Sequence, residues 1–185
     1  VPTGGLLDSW RSFRAPCQGT RMNVDFAKSP EMALVKQKLH QAAITDIFRA
    51  VSQAMDAPAY AWEEMLPGQT VAVAAGSRGI DRIDQVLFAA VDFFRKKGLE
   101  SFIVPAMGSH GGASAEGQEA ILAGYGVTEK TIGAPVVSSM DVVELPSEGL
   151  ENRVFMDRAA YEADGTILIN RVKPHTDFHG DVESG

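Results

Sequence analysis

The stretch from residue 70 to residue 106 constrains the fold more than any other part of the chain. TVAVAAGSRG contains a short apolar run broken by glycine, which is typical of a buried strand. In DRIDQVLFAAVDFFRKKG the apolar residues recur three and four positions apart, basic residues stand near the end, and Gly98 follows, which predicts a helix. SFIVPAM then predicts a second buried strand. Strand, helix and strand within about 35 residues predict a βαβ unit with parallel strands and a right-handed crossover.

Elements of the same kinds flank this unit on both sides. Thr45 is expected to cap a helix of about 46–56, and a second helix of about 115–123 follows the loop GSHGGAS. MALVKQKLH predicts an edge strand, MDVVELP and NRVFMD a small hairpin or edge pair, DRAAYEAD a short helix, and DGTILIN a third buried strand. We therefore expect an α/β, Rossmann-like three-layer domain with a mostly parallel sheet over residues 32–185, after a poorly specified leader at 1–31.

Composition and charge exclude several classes of function. Seventeen basic and twenty-four acidic residues give a net charge of −7, which argues against a general nucleic-acid or anionic-membrane surface. A local basic pocket for a small anion stays compatible with this charge. Cys17 is the only cysteine and cannot form an internal disulfide, so a reducing, cytoplasmic location is expected. No apolar run approaches the roughly 20 residues that a membrane helix needs.

Each of the three predicted buried strands ends in a polar loop with special backbone requirements. The strands at 71–75, 102–106 and 166–170 lead into GSRG, GSHGG and RVKPH, respectively. In open parallel sheets, ligands bind at the carboxyl ends of the strands. We therefore expect the three loops to converge on one crevice.

The first two loops offer side chains with useful chemistry, and each has a plainer interpretation. Arg78 follows two small residues that let backbone N–H groups face outward, which suits a bound anion, or it is an exposed residue of a turn. His110 lies among glycines, which indicate unusual backbone angles or a close ligand, or it is a solvent-exposed histidine. Ser109 is a poor candidate nucleophile, because GSHGG lacks the G-x-S-x-G spacing.

The third loop carries the most side chains with a possible catalytic, binding or metal-ligating role. Pro174 fixes one backbone angle and restricts Lys173, so His175 is placed rigidly enough for proton transfer, unless a backbone carbonyl simply satisfies its ring. Arg171 and Lys173 either hold a carboxylate or phosphate or are solvated charges. His175 and His179 are four residues apart and could bind a metal with Glu183 on a helix, but the flanking proline and glycine argue against a helix there.

The phrases GSRGI, PAMGSHGG and RVKPHTDFHG…ESG, in this order, resemble the N-terminal domain of the nickel-dependent lactate racemase family, in particular its large uncharacterised branch. The resemblance runs from about Met32 to Gly185. It implies an isomerase that interconverts stereoisomers of a 2-hydroxy acid with a nickel-pincer nucleotide. His110 and His175 match the histidines that accept protons on opposite sides of the substrate carbon, and Arg78 matches the arginine near substrate and cofactor.

The resemblance also implies contacts around these residues. The substrate carboxylate would be held by Arg78 and Lys173. Inverting one carbon requires a base on each face, and histidines that titrate near neutrality suit this work, while the cofactor carries the hydride chemistry. No side chain of this chain is expected to ligate the metal directly. Contacts to the cofactor would come from strand-end residues, namely Ser77, Arg78, Gly108, Ser109 and Gly111.

The chain departs from the family pattern in two respects. His110 is followed by Gly111, where the racemases have an arginine. The cofactor-tethering lysine, a further nickel-binding histidine and the C-terminal α/β domain of the family fall beyond Gly185. We therefore expect the chain to be a fragment that is not a competent racemase alone, with a 2-hydroxy acid and the missing domain as partners and a homo-oligomer left open.

Two functions of other classes stay open from the sequence. Glycine loops at strand ends also suit a non-catalytic nucleotide- or phosphate-binding module. His175 and His179 also suit a metal-dependent hydrolase, with Glu183 as a third ligand. An inactive remnant kept for assembly with a partner chain is the plainest alternative.

Overall fold

A computed structural model describes residues 35–36, 43–57, 62, 64–77 and 79–172. The chain divides into two compact units, Val1–Gln41 and Ala42–Gly185, and every described helix and strand belongs to the second. The predicted leader at 1–31 and most of the predicted edge strand at 32–40 lie outside the described residues. Outside them also lie five residues singled out above, Arg78, Lys173, His175, His179 and Glu183.

The second unit alternates helices and strands along the chain. In order, its elements are α1 (Ile47–Met55), β1 (Thr70–Ala75), α2 (Ile83–Lys96), β2 (Glu100–Pro105), a 3₁₀ segment (His110–Ala113), α3 (Ala115–Gly124), α4 (Glu129–Ile132), β3 (Val142–Leu145), β4 (Val154–Asp157), α5 (Arg158–Glu162) and β5 (Gly165–Ile169). Within the part of the chain that the structure describes, no helix combines the length and the apolar character that crossing a membrane requires.

β1 is the central strand of a three-stranded parallel sheet whose strand order is β2-β1-β5. Ala75, at the end of β1, lies opposite Pro105 of β2 and Ile169 of β5. The three apolar runs predicted as buried strands therefore all join one parallel sheet flanked by helices, which confirms the α/β class. The prediction that the third run is buried was wrong, because no residue of β5 is buried and Leu168 is 68% exposed. β3 and β4 form a separate antiparallel pair, as the hairpin prediction required.

Both faces of β1 are buried, which explains its uninterrupted apolar sequence. Val73 and its neighbours on one face pack with buried side chains of α2, including Leu87 and Phe94, which are fully buried. On the other face, Ala72 and Ala74 pack with Ala160 of α5. Helices therefore cover both faces of β1, and the small alanines match the packing of the short helix α5 on one of them.

Local sequence signals predicted where the helices begin and end, with one exception at the start of α1. Gly98 has a φ of 77° directly after α2, where a left-handed residue ends the helix as predicted. At the start of α1 the prediction of Thr45 as the cap was wrong by one position. Asp46 is the N-cap, and its carboxylate accepts a hydrogen bond from the Arg49 backbone N–H at 3.0 Å. Both residue types are good caps, so the sequence alone does not decide between them.

Asp164 ties the amino ends of β1 and β5 together. Its Oδ2 accepts hydrogen bonds from the Thr70 backbone N–H at 2.8 Å and from the Thr70 hydroxyl at 2.9 Å. Its Oδ1 accepts a longer bond of 3.3 Å from the side-chain amide of Gln69. These donors favour the ionised carboxylate, and the backbone N–H of Thr70 contributes most to lowering the pKa of Asp164 below its ordinary value.

Replacing Asp164 with asparagine should make the free energy of unfolding depend less steeply on pH in acid. The folded-state pKa lies below the unfolded one, so the carboxylate adds stability above the ordinary aspartate pKa and loses it as the pH falls through the folded value. Urea denaturation at a series of pH values should therefore show wild type losing stability more steeply than Asp164→Asn in acid.

The matched control is Asp141→Asn, because the Asp141 carboxylate accepts no hydrogen bond from the described residues. It should reproduce the wild-type profile. Wild-type and Asp164→Asn profiles that run parallel down to the acid limit would contradict the assignment.

Candidate functional site

The ends of the three parallel strands meet at one edge of the sheet. The ladder of hydrogen bonds continues just beyond the strands, because the Gly76 N–H donates to Ile169 O at 2.9 Å and the Ala106 N–H donates to Ala75 O at 2.8 Å. The loops that leave β2, β1 and β5 therefore start side by side, with the β1 loop in the middle. Parallel sheets bind ligands at this carboxyl edge.

Several residues of the loop after β2 have positive φ angles. Gly108 has a φ of 58° and Ser109 has φ −83° and ψ 6°, and the His110 N–H donates to Met107 O at 3.3 Å. These angles are those of a type II′ turn, which needs a glycine at its first central position. Gly111 and Gly112 follow with φ angles of 64° and 68°. The unusual backbone angles predicted from the glycines are confirmed.

The same loop packs backbone against backbone on the first turn of α3. A Cβ placed on Gly111 would lie 2.6 Å from Gln118 N, and one placed on Gly117 would lie 2.7 Å from Gly111 C. Ser114 fixes the contact, since its hydroxyl donates to Gly111 O at 3.1 Å and accepts from the Gly117 N–H at 3.1 Å. Gly111 therefore has a packing role in addition to the predicted cofactor contact.

His110 is half-buried, and its ring orientation is defined by one contact. Its Nδ1 lies 2.5 Å from Met107 O, the same carbonyl that accepts the His110 backbone N–H. A carbonyl only accepts hydrogen bonds, so Nδ1 carries the proton of the neutral ring and Nε2 keeps its lone pair. Nε2 makes no hydrogen bond to any described residue, which leaves it able to accept a proton or bind a ligand.

The loops after β1 and β5 contact each other directly. Arg171 Nη1 donates to Gly79 O at 3.2 Å, and a Cβ on Gly79 would lie 3.0 Å from Arg171 Cδ. The sequence left Arg171 as either an anion ligand or a solvated charge, and in the structure its exposed guanidinium donates one N–H to the first loop. Ser77 is half-buried beside this contact.

The described residues at this edge suit the organic part of a nucleotide cofactor. Nothing lies within 4 Å of the positions where Gly108 and Gly112 would carry a Cβ, so their backbone is open to a close ligand. The hydroxyls of Ser77 and Ser109 make no hydrogen bond to the described residues and are available to a ligand. Among those residues no group of three or more His, Cys, Asp or Glu side chains comes together.

The structure therefore brings together five of the predicted site residues and leaves the others undescribed. Ser77, Gly108, Ser109, His110 and Gly111 lie in loops at one edge of the sheet. Arg78, Lys173 and His175, and the metal group His175, His179 and Glu183, lie outside the described residues.

Two residues around His110 were missed by the sequence analysis. Gly117 carries a weak sequence signal, a glycine in the first turn of a predicted helix, where it costs stability unless packing requires it. Gln118 carries none, because it stands in the polar run EGQE and is indistinguishable there from an exposed residue.

The chain was also compared with known proteins. Comparison with models of protein families, with curated proteins and with solved structures found no match in any of the three.

Proposed function

We propose that this chain is the cofactor-binding and proton-transferring domain of a lactate-racemase-like isomerase that acts on a 2-hydroxy acid. The observation that carries the proposal is His110, held in a glycine-built turn at the carboxyl edge of a parallel sheet, with Nδ1 against Met107 O and Nε2 without a hydrogen bond to a described residue. The three-stranded sheet covered by helices is consistent with a Rossmann-like fold, in which this edge is the ligand side.

His110 supplies the base for one face of the substrate. When bound, the nickel-pincer nucleotide would accept a hydride from the substrate carbon and return it. The hydroxyl proton of the 2-hydroxy acid must leave at the same time, and Nε2 of His110 accepts it, which gives a transient 2-oxo acid. Re-forming the hydroxyl with the opposite configuration requires a proton from a second group, and His175, by its match to the family motif, is the proposed donor in this direction and the base in the reverse direction.

Gly111 stands where the racemases have an arginine, so the cationic partners of the substrate carboxylate are sought at other positions. Gly111 cannot carry a cationic side chain, because its Cβ would collide with the backbone of Gly117 and Gln118. Arg171 is engaged by Gly79 O. Arg78, by its match to the family's arginine, and Lys173 are the proposed partners of the substrate carboxylate.

The proposal is tested with the intact protein co-expressed with the enzymes that build the cofactor. Single enantiomers of several 2-hydroxy acids are incubated with it and analysed by chiral chromatography, and nickel and cofactor mass are measured on the same sample. We expect loaded protein to convert one enantiomer into the racemate, and protein made without the cofactor enzymes to do nothing. Intact protein that carries neither nickel nor a cofactor-derived mass would overturn the proposal.

A non-catalytic nucleotide- or phosphate-binding module is the second candidate, favoured by the open backbone at Gly108 and Gly112. Such a module has no use for a proton acceptor at His110. Binding of a nucleotide that is equally tight in wild type and His110→Asn, with no turnover of any 2-hydroxy acid by either, would favour it.

A further inference from the structure

Gln118 is an unusual residue for its position in the fold. It is 6% exposed and is the only buried polar or charged side chain among the described residues. It lies in the second turn of α3, and Leu122, one turn further along, is fully buried. Burying a side-chain amide costs free energy unless it is hydrogen-bonded, so an apolar residue would be the simpler choice at this position.

The hydrogen bond that Gln118 makes reaches the turn that carries His110. Its Nε2 donates to Gly108 O at 2.8 Å. Gly108 O belongs to the central peptide of the type II′ turn formed by residues 107–110, and the orientation of this peptide is what distinguishes type II′ from type I′. Gln118 therefore ties the centre of this turn to α3.

The conformation of this turn also determines which nitrogen of the His110 ring carries the proton. In the observed turn, Met107 O receives both the His110 backbone N–H at 3.3 Å and the ring Nδ1 at 2.5 Å. This double contact exists only while residues 107 and 110 stay close. If the turn opened, the ring would lose the carbonyl that accepts from Nδ1, and the Gln118 bond to Gly108 O opposes this opening by tying the turn to α3.

We propose that Gln118 is a positioning residue that fixes the tautomer of His110, with Nδ1 protonated and Nε2 free to accept a proton. The use of that free nitrogen as a catalytic base rests on the proposed function. The tautomer is a property of the chain itself and is measured without substrate or cofactor.

Nitrogen-15 NMR of the full 185-residue chain tests the proposal directly. The His110 ring signals are assigned by their loss in His110→Asn, and their chemical shifts distinguish protonated from bare ring nitrogens. We expect wild type to show a protonated Nδ1 and a bare Nε2. In Gln118→Met, which keeps the side-chain length but has no donor, both signals should shift toward the Nε2–H form that free imidazoles prefer.

The control is Glu119→Met, which places the same side chain at the next, exposed position of α3. It should leave the His110 signals where they are in wild type. A folded Gln118→Met protein with wild-type His110 shifts would overturn the proposal.

A second measurement applies if Gln118→Met does not fold. In wild type, the side-chain NH₂ protons of Gln118 should exchange with water much more slowly than those of Gln53, which is exposed. Exchange at the same rate for both residues would overturn the proposal. A shifted tautomer in a protein without isomerase activity would instead support the role of Gln118 and count against the proposed function.

Discussion

Gly117→Ala should lower the free energy of unfolding by about 2 kcal/mol, because the added methyl group has no room. Its Cβ would overlap the Gly111 carbonyl oxygen and lie 2.7 Å from Gly111 C and 2.8 Å from Ser114 Oγ. Two of these three atoms are backbone, so the loop must move away from α3 as a unit. The helix-forming preference of alanine offsets only about 1 kcal/mol of this cost.

Gly124→Ala is the matched control in the same helix. Nothing lies within 4 Å of its Cβ position, and alanine should raise stability there by about 0.5 kcal/mol. Urea denaturation of the three proteins gives the comparison. If Gly117→Ala were as stable as Gly124→Ala, the close packing of the His110 loop on α3 would be refuted.

His110→Asn should lower turnover of the cofactor-loaded intact protein about 10²- to 10⁴-fold, the range for loss of a general base. Asparagine keeps a side-chain amide that can donate to Met107 O in place of Nδ1, so the loop should stay folded. It has no atom that replaces the Nε2 lone pair. The loss should therefore appear in kcat, with a much smaller change in KM.

Glu119→Gln is the control for this experiment, since Glu119 is exposed on α3 and belongs to no proposed contact. Its kcat should equal that of wild type. Circular dichroism and cofactor content should match for all three proteins. Wild-type kcat in a folded, loaded His110→Asn protein would remove His110 from the reaction.

The sequence was most informative where a pattern repeats. The helical spacing of Leu87 and Phe94, between two apolar runs, predicted the βαβ unit. A helix that buries one face has apolar residues at regular intervals in its sequence, and this pattern can be recognised. The hairpin and the Asp157 cap of α5 were predictable for similar local reasons, and the Asp157 carboxylate accepts from the Ala160 N–H at 3.0 Å.

The immediate surroundings of His110 could not be predicted in the same way. The contact between Gly111 and Gly117 depends on a turn that folds the chain back on itself, and no residue pattern records it. Gln118 is buried by that same packing, although its neighbours Gly117 and Glu119 give it a polar context. The other half of the site, with Arg78, Lys173 and His175, stays a prediction from the motifs.

The strand order β2-β1-β5 also bears on how the protein folds. β1 and β2 pair across a single helix, whereas the bonds between Thr70 and Asp164 join residues 94 positions apart. The entropy of closing so long a loop must be overcome before β5 gains its contacts, so β5 should dock last and open first. The edge of the sheet at which the three loops start is then complete only after β5 has docked. A ligand bound across β1 and β5 would hold the latest-docking strand in place, and binding and completion of the fold would be thermodynamically coupled.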